Sequence, residues 1–90
     1  MCGIIGMAGH ILQKHEQCFT NMLIVDSIRG MDSTGVCSVD TNSNIIICKH
    51  AMLPQDLIQL PKYKEILSKV NRVLIGHNRW ATRGKINRIN

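Results

Sequence analysis

The sequence predicts an α+β fold, and three observations carry that prediction. Apolar, strand-like runs stand near both ends of the chain, at residues 2–9 (CGIIGMAG) and 72–77 (RVLIGH). Between them, apolar residues recur at helical spacing from about His15 to Arg29. Two β-rich runs, residues 35–40 and 44–50, flank the turn formers Thr41, Asn42 and Ser43 and read as a hairpin. The predicted order is strand, helix, two strands, helices, strand, with no internal repeat and no low-complexity linker. Ninety residues allow one core that buries roughly 60 to 65 % of the unfolded surface. A hydrophobic content of 44 % is enough to build it, which excludes a disordered chain.

Taken in order, residues 2–9 are apolar at nearly every position and carry Gly3, Gly6 and Gly9, the pattern of a buried strand that another backbone approaches closely. In the helix that follows, Cys18, Met22 and Val25 form an apolar stripe flanked by Phe19, Leu23, Ile24 and Ile28, while Glu16, Thr20 and Ser27 mark a narrow polar side. Arg29 sits at the end of this helix, where a cation is favoured, and Gly30 is placed as its left-handed cap. After the hairpin, Pro54 and Pro61 each open a helix, and Tyr63, Ile66, Leu67 and Val70 give the second one its apolar stripe. The last strand runs directly into the string NRWATRG.

Composition narrows the function classes. The net charge of +5 raises the question of nucleic acid, but Lys62, Lys64 and Lys69 read as the solvated side of a helix. Arg79, Arg83, Lys85 and Arg88 crowd the other end with Trp80 as their only aromatic neighbour, so no nucleic-acid partner is expected. The cysteines at 2, 18, 37 and 48 show neither CxxC pairs nor zinc spacing with the histidines at 10, 15, 50 and 77, and no metal or other cofactor is expected. The segment after Met1 lacks a basic signal-peptide start, and no apolar run approaches the ~20 residues of a membrane helix. A cytoplasmic protein with reduced thiols and no membrane association is the expectation.

Position 2 carries the first chemical signal. A cysteine at an arbitrary position is a small apolar core residue. Initiator methionine is usually trimmed ahead of a small residue, and trimming here leaves Cys2 with both a thiol and a free α-amine. The amine titrates near ~8 and the thiol near ~8.5, so proton transfer from one to the other costs little at neutral pH. One residue then supplies nucleophile and base. The second signal is GHNRWATRG at residues 76–84. Arg79 can grip a carboxylate with two parallel N–H bonds and Thr82 can add a hydroxyl to the same anion. Standing alone, these residues would read as an arginine capping a sheet and a tryptophan in the core.

Together with RGMDSTG at residues 29–35, MCGIIG and GHNRWATRG closely resemble the class II glutamine amidotransferases, which are N-terminal-nucleophile hydrolases; the nearest likeness is to the glutaminase half of the sugar-phosphate aminotransferases. The resemblance runs from Cys2 to about Gly84. It implies that residues 1–90 are the N-terminal portion of a four-layer αββα N-terminal-nucleophile hydrolase sandwich, incomplete at the C-terminus. It further implies that Cys2 attacks the side-chain amide of L-glutamine, forms a thioester and releases ammonia for an acceptor synthase domain or subunit. Arg79, with Thr82, would hold the substrate carboxylate and Trp80 would shape the pocket wall. Arg29, Gly30, Asp32, Ser33 and Gly35 would build the turn that supports the nucleophile strand, although a helix cap and a turn former explain that segment without chemistry. Arg83 departs from the histidine that sugar-forming members carry there. Two further groups of the family, an Asn-Gly pair for the oxyanion and an acid for the substrate ammonium, fall beyond Asn90. A truncated or remodelled, catalytically inactive glutaminase-like binding or regulatory module is the alternative, and a chain truncated in this way is expected to self-associate or pair with another chain; a different N-terminal-nucleophile amidase is weaker because Arg79 favours an amino-acid substrate.

Overall fold

The computed structural model describes residues 2–27 and 32–79. Four strands and three helices follow one another as β1 (Cys2–Ala8), α1 (Gln13–Asp26), β2 (Ser33–Asp40), β3 (Ile45–His50), α2 (Pro54–Leu57), α3 (Pro61–Ser68) and β4 (Asn71–Arg79). This is the α+β class expected. The strands form one sheet in the order β1-β4-β2-β3 with every pair antiparallel, so the last strand slots between the first and the second.

Alternation along each strand sorts the sheet into two faces. Buried Leu74, Gly76 and Asn78 of β4 and buried Thr34, Val36 and Ser38 of β2 lie on the face covered by helices. There they join Phe19 and Leu23 of α1, Leu57 of α2, Tyr63 and Ile66 of α3 and Cys48 of β3 in the core. Burying a side chain such as Phe19 or Leu23 contributes about 1.5–3 kcal/mol. On the other face Ile4, Ile45, Ile47 and Ile75 are exposed, with relative accessibilities of 74, 65, 61 and 45 %. Nothing among the described residues covers them. Among the described residues the all-apolar β1, expected as a buried strand, is covered on one side only and lies at an edge of the sheet.

Of the wide apolar face expected for α1, the flank that carries Phe19 and Leu23 turns innermost. Phe19 and Leu23 are fully buried, whereas Cys18 is exposed and Val25 is 61 % exposed. The cause lies in β4. A Cβ at Gly76 would stand 2.8 Å from Leu23 Cδ1 and 3.0 Å from Phe19 Cζ, so the missing side chain is the hollow into which this pair packs. The polar side of the helix is used as well. Thr20 and Tyr63 share a hydroxyl–hydroxyl hydrogen bond of 2.6 Å that ties α1 to α3. Burial pushes the Tyr63 phenol above its ordinary value, opposed in part by that bond.

The hairpin turn is closed by Asp40, whose Oδ1 accepts from the backbone N–H groups of Asn42 and Asn44, both at 2.8 Å, while Oδ2 accepts from Asn44 Nδ2 at 3.2 Å. Ser43 adopts φ 67° in this turn. Pro54 and Pro61 open α2 and α3 as expected from their lack of an N–H. Val70 falls beyond the end of α3 and is exposed, so Tyr63 and Ile66 alone form the buried stripe. Gly9, at φ +123°, turns the chain off β1 in a conformation that L side chains rarely adopt.

Candidate active site

The strand β4 reaches two residues beyond the predicted GH, which brings Arg79 into the sheet itself. Its neighbours follow from the register. Arg79 pairs with Cys2 of β1 on one side and with Ser33 of β2 on the other. The three sequence motifs thus meet in one row across three adjacent strands, with the Asp32 N–H donating to the Arg79 carbonyl at 2.7 Å. Arg79 is half-buried and, one residue on from buried Asn78, belongs to the uncovered face. His77 shares that face one row further in, between Ile4 and Gly35. A Cβ at Gly35 would lie 3.4 Å from Lys49 Cγ, so this glycine leaves room for the lysine stem to cross β2. Of Cys2 the backbone is described. Arg29, Gly30, Trp80 and Thr82 lie outside the described residues.

A second row, one residue inward on the helix face, lies outside the residues that the motifs predict for the site. It joins Gly3, Asn78 and Thr34. Asn78 is buried, and its Nδ2 donates to the Leu23 carbonyl at 2.9 Å and to Asp26 Oδ2 at 3.1 Å. Its Oδ1 accepts from Thr34 Oγ1 at 2.9 Å, a hydroxyl that also lies 3.0 Å from the Met52 carbonyl. Two pure acceptors on one side and a hydroxyl donor on the other leave the amide a single orientation. At Gly3 a Cβ would run into the Asp26 carboxylate, so a side chain there would have to displace it. The signal for this row was present in GHNR, where alternation separates Gly76 and Asn78 from His77 and Arg79, but the partners come from α1 and the 50s loop.

The remaining thiols are placed away from this row's end. Cys48 is buried in the core, and its burial pushes the thiol up. Cys37 is half-buried on β2 and Cys18 lies exposed on α1. Among the described residues no three His, Cys, Asp or Glu side chains gather as a metal site. None of the described helices is long and apolar enough to cross a membrane. A groove of about 750 Å³ runs between α1 and α3 past Gln13, Glu16, Thr20, Lys64 and Ser68, on the helix side of the sheet and so on the opposite face from Arg79.

No family model matches the chain. Among curated proteins the similarity is to aminotransferases. Glutamine–fructose-6-phosphate aminotransferase (isomerizing) of Buchnera aphidicola is 30 % identical over 95 residues, covering all of this chain and 14 % of its own length. The enzymes of the same name from Francisella tularensis and Fusobacterium nucleatum are 36 and 39 % identical over 94 and 93 % of this chain, and 13 % of each relative is spanned. The chain therefore resembles the N-terminal glutaminase part of glutamine–fructose-6-phosphate aminotransferase, as its three motifs indicate, and spans about one seventh of the curated relatives it matches.

Proposed function

We propose that this chain is the N-terminal part of a class II glutamine amidotransferase domain and carries its nucleophile and carboxylate clamp. The observation that carries the reading is the register that sets Cys2 directly opposite Arg79 on adjacent strands, with Ser33 of the RGMDSTG string on the other side of the arginine. Adjacent antiparallel partners stand about 4.5–5.5 Å apart. An extended arginine and an amino-acid substrate fit that spacing, because the α-carboxylate of glutamine is separated from its side-chain amide by a short aliphatic stem.

In the proposed reaction the α-amine of processed Cys2 takes the thiol proton, and the thiolate sulfur attacks the carboxamide carbon of L-glutamine. A carbon–sulfur bond forms and the carbon–nitrogen bond breaks as the ammonium of Cys2 returns a proton to the leaving nitrogen, so ammonia departs and a γ-glutamyl thioester remains. Water, deprotonated by the same amine, then cleaves the thioester to glutamate and restores the thiol. Arg79 holds the α-carboxylate through two charge-assisted bonds, assisted by Thr82, and Trp80 walls the pocket. Arg29, Gly30, Asp32, Ser33 and Gly35 build the turn that supports the nucleophile strand. The relatives are named as aminotransferases of glutamine and fructose 6-phosphate, which supports glutamine as the nitrogen donor and a sugar-phosphate-handling acceptor domain as the partner. The four-layer αββα sandwich is part of the same reading: the apolar, uncovered sheet face is of the kind a second sheet packs against. A cytoplasmic setting follows from the need to keep the Cys2 thiol reduced.

The test is the intact mass of the natively expressed protein before and after a glutamine-like diazoketone. Loss of the initiator methionine and one adduct, abolished by Cys2→Ala, is expected. Equal labelling of all four thiols would sink the reading.

A further inference from the structure

We propose that Asn78, with Asp26 as its partner, is a positioning residue for this reaction: it clamps the end of α1 to the strand position between His77 and Arg79 and so sets the register that holds Arg79 opposite Cys2. The inference rests on the glutaminase reading for its chemistry, while its geometry stands on the sheet alone.

The end of α1 needs a donor. The last four carbonyls of a helix lack partners within it, and the N–H of Ser27 is directed to Ile24 and Val25. In the turn just before these, the Leu23 carbonyl accepts from Asn78 Nδ2 of the neighbouring strand. Asp26, an acid in the last turn, stands where the helix dipole disfavours negative charge. The second proton of the same Nδ2 supplies a partner for that acid. The carboxylate in turn fills the space above Gly3, the residue next to Cys2. One buried amide thus joins β4, α1, β1 and, through Thr34, β2.

The consequence for the site comes from the period of a strand. A slip of one residue in β4 would carry Asn78 to the uncovered face and turn Arg79 under α1. Apolar residues resist such a slip further along, where Leu74 and Gly76 seat against α1, but near the motif row the side chains that face the helix are polar or absent. There Asn78 does what a core leucine does elsewhere. Its three bonds are directional, so they select an angle as well as a face.

The experiment uses the protein encoded by the complete gene and two readouts. Asn78→Asp keeps the size of the side chain but replaces both donors with acceptors beside Asp26 and the Leu23 carbonyl. It is expected to lower kcat/KM for glutamine about a hundredfold, the scale of a small misplacement of reacting groups. Alkylation of Cys2 by iodoacetamide, which needs no carboxylate clamp, is expected to stay near wild type. Adding Asp26→Asn to that variant restores a donor to the pair and should recover part of the loss, whereas Asp26→Leu should recover none. Backbone amide exchange provides the second readout: protection should fall at residues 2–4 and 77–79 and hold at 5–8 and 72–75. Unchanged kinetics and exchange, or protection lost evenly along the sheet, overturns the positioning role. A wild-type protein that hydrolyses no glutamine overturns the glutaminase reading instead, and the exchange pattern still decides the role of Asn78.

Discussion

The role proposed for Arg79 depends on the shape of one side chain. A guanidinium presents two parallel donors to a carboxylate, whereas an ammonium is a point charge. Charge-assisted bonds of this kind contribute about 1.5–3 kcal/mol, so Arg79→Lys is expected to weaken glutamine binding roughly tenfold to a hundredfold. Calorimetry on the protein encoded by the complete gene measures it, and wild-type affinity would reduce Arg79 to a strand-end cap. Cys2 is tested by contrast with Cys18. Exposure makes Cys18 available to any thiol reagent, yet it lies on α1 with no carboxylate clamp opposite it. A generic reagent is therefore expected to modify both residues and the glutamine-like diazoketone only Cys2. A residue added ahead of Cys2 that resists trimming should also block the diazoketone, because it turns the basic amine into an amide.

Among the elements, β4 and the β2–β3 hairpin carry the sharpest expectations. Gly76 is the hollow of β4, and a methyl group there meets Leu23, Ile5 and Phe19 at 2.8 to 3.0 Å in a buried setting. Overpacking of this kind costs about 1–3 kcal/mol, so Gly76→Ala should lower the denaturation midpoint measurably without touching the motif row. In the hairpin, hydrogen bonds led by the Asn44 backbone N–H hold the Asp40 carboxyl below its ordinary range. The sign follows from linkage. With the folded pKa depressed, the stabilisation is present in full above the unfolded value of ~3.9 and disappears as pH falls through the lower folded value. Thermal unfolding followed from neutral pH into acid should show this loss, and Asp40→Asn should flatten it. An identical pH profile in wild type and variant would remove Asp40 from the account.

For the molecule as a whole, the uncovered face dominates behaviour. Ile4, Ile45, Ile47 and Ile75 lie on one side of a sheet whose edge strands β1 and β3 are open among the described residues. Such faces and edges pair with other chains. As a purified ninety-residue polypeptide the protein is therefore expected to self-associate in sedimentation, and Ile45→Lys with Ile47→Lys should shift it toward monomer. The same polypeptide should show no glutamine turnover above background. The resemblance places the side-chain oxyanion donor beyond Asn90, and loss of even one donor costs about 10²- to 10³-fold. A soluble monomer that releases ammonia at an ordinary enzymatic rate would overturn both expectations.

The sequence by itself determined the α+β order, the hairpin, the proline-started helices and the three motifs, because each depends on local chemistry: periodicity, turn residues, a missing N–H. It also contained the resemblance, since MCGIIG, RGMDSTG and GHNRWATRG are contiguous strings. The tertiary structure alone decided that β4 inserts between β1 and β2, and with that insertion the three strings become one row. It also decided which stripe of α1 is inside. Cys18, Met22 and Val25 are as apolar and as regularly spaced as Phe19 and Leu23, and periodicity cannot choose between two stripes of a wide apolar face; a missing side chain at Gly76, more than fifty residues away, makes the choice. The role of Asn78 was hidden for the same reason. An asparagine in a strand is an unfavourable residue until the carbonyl of Leu23, the carboxylate of Asp26 and the hydroxyl of Thr34 are brought around it, and only folding brings them there.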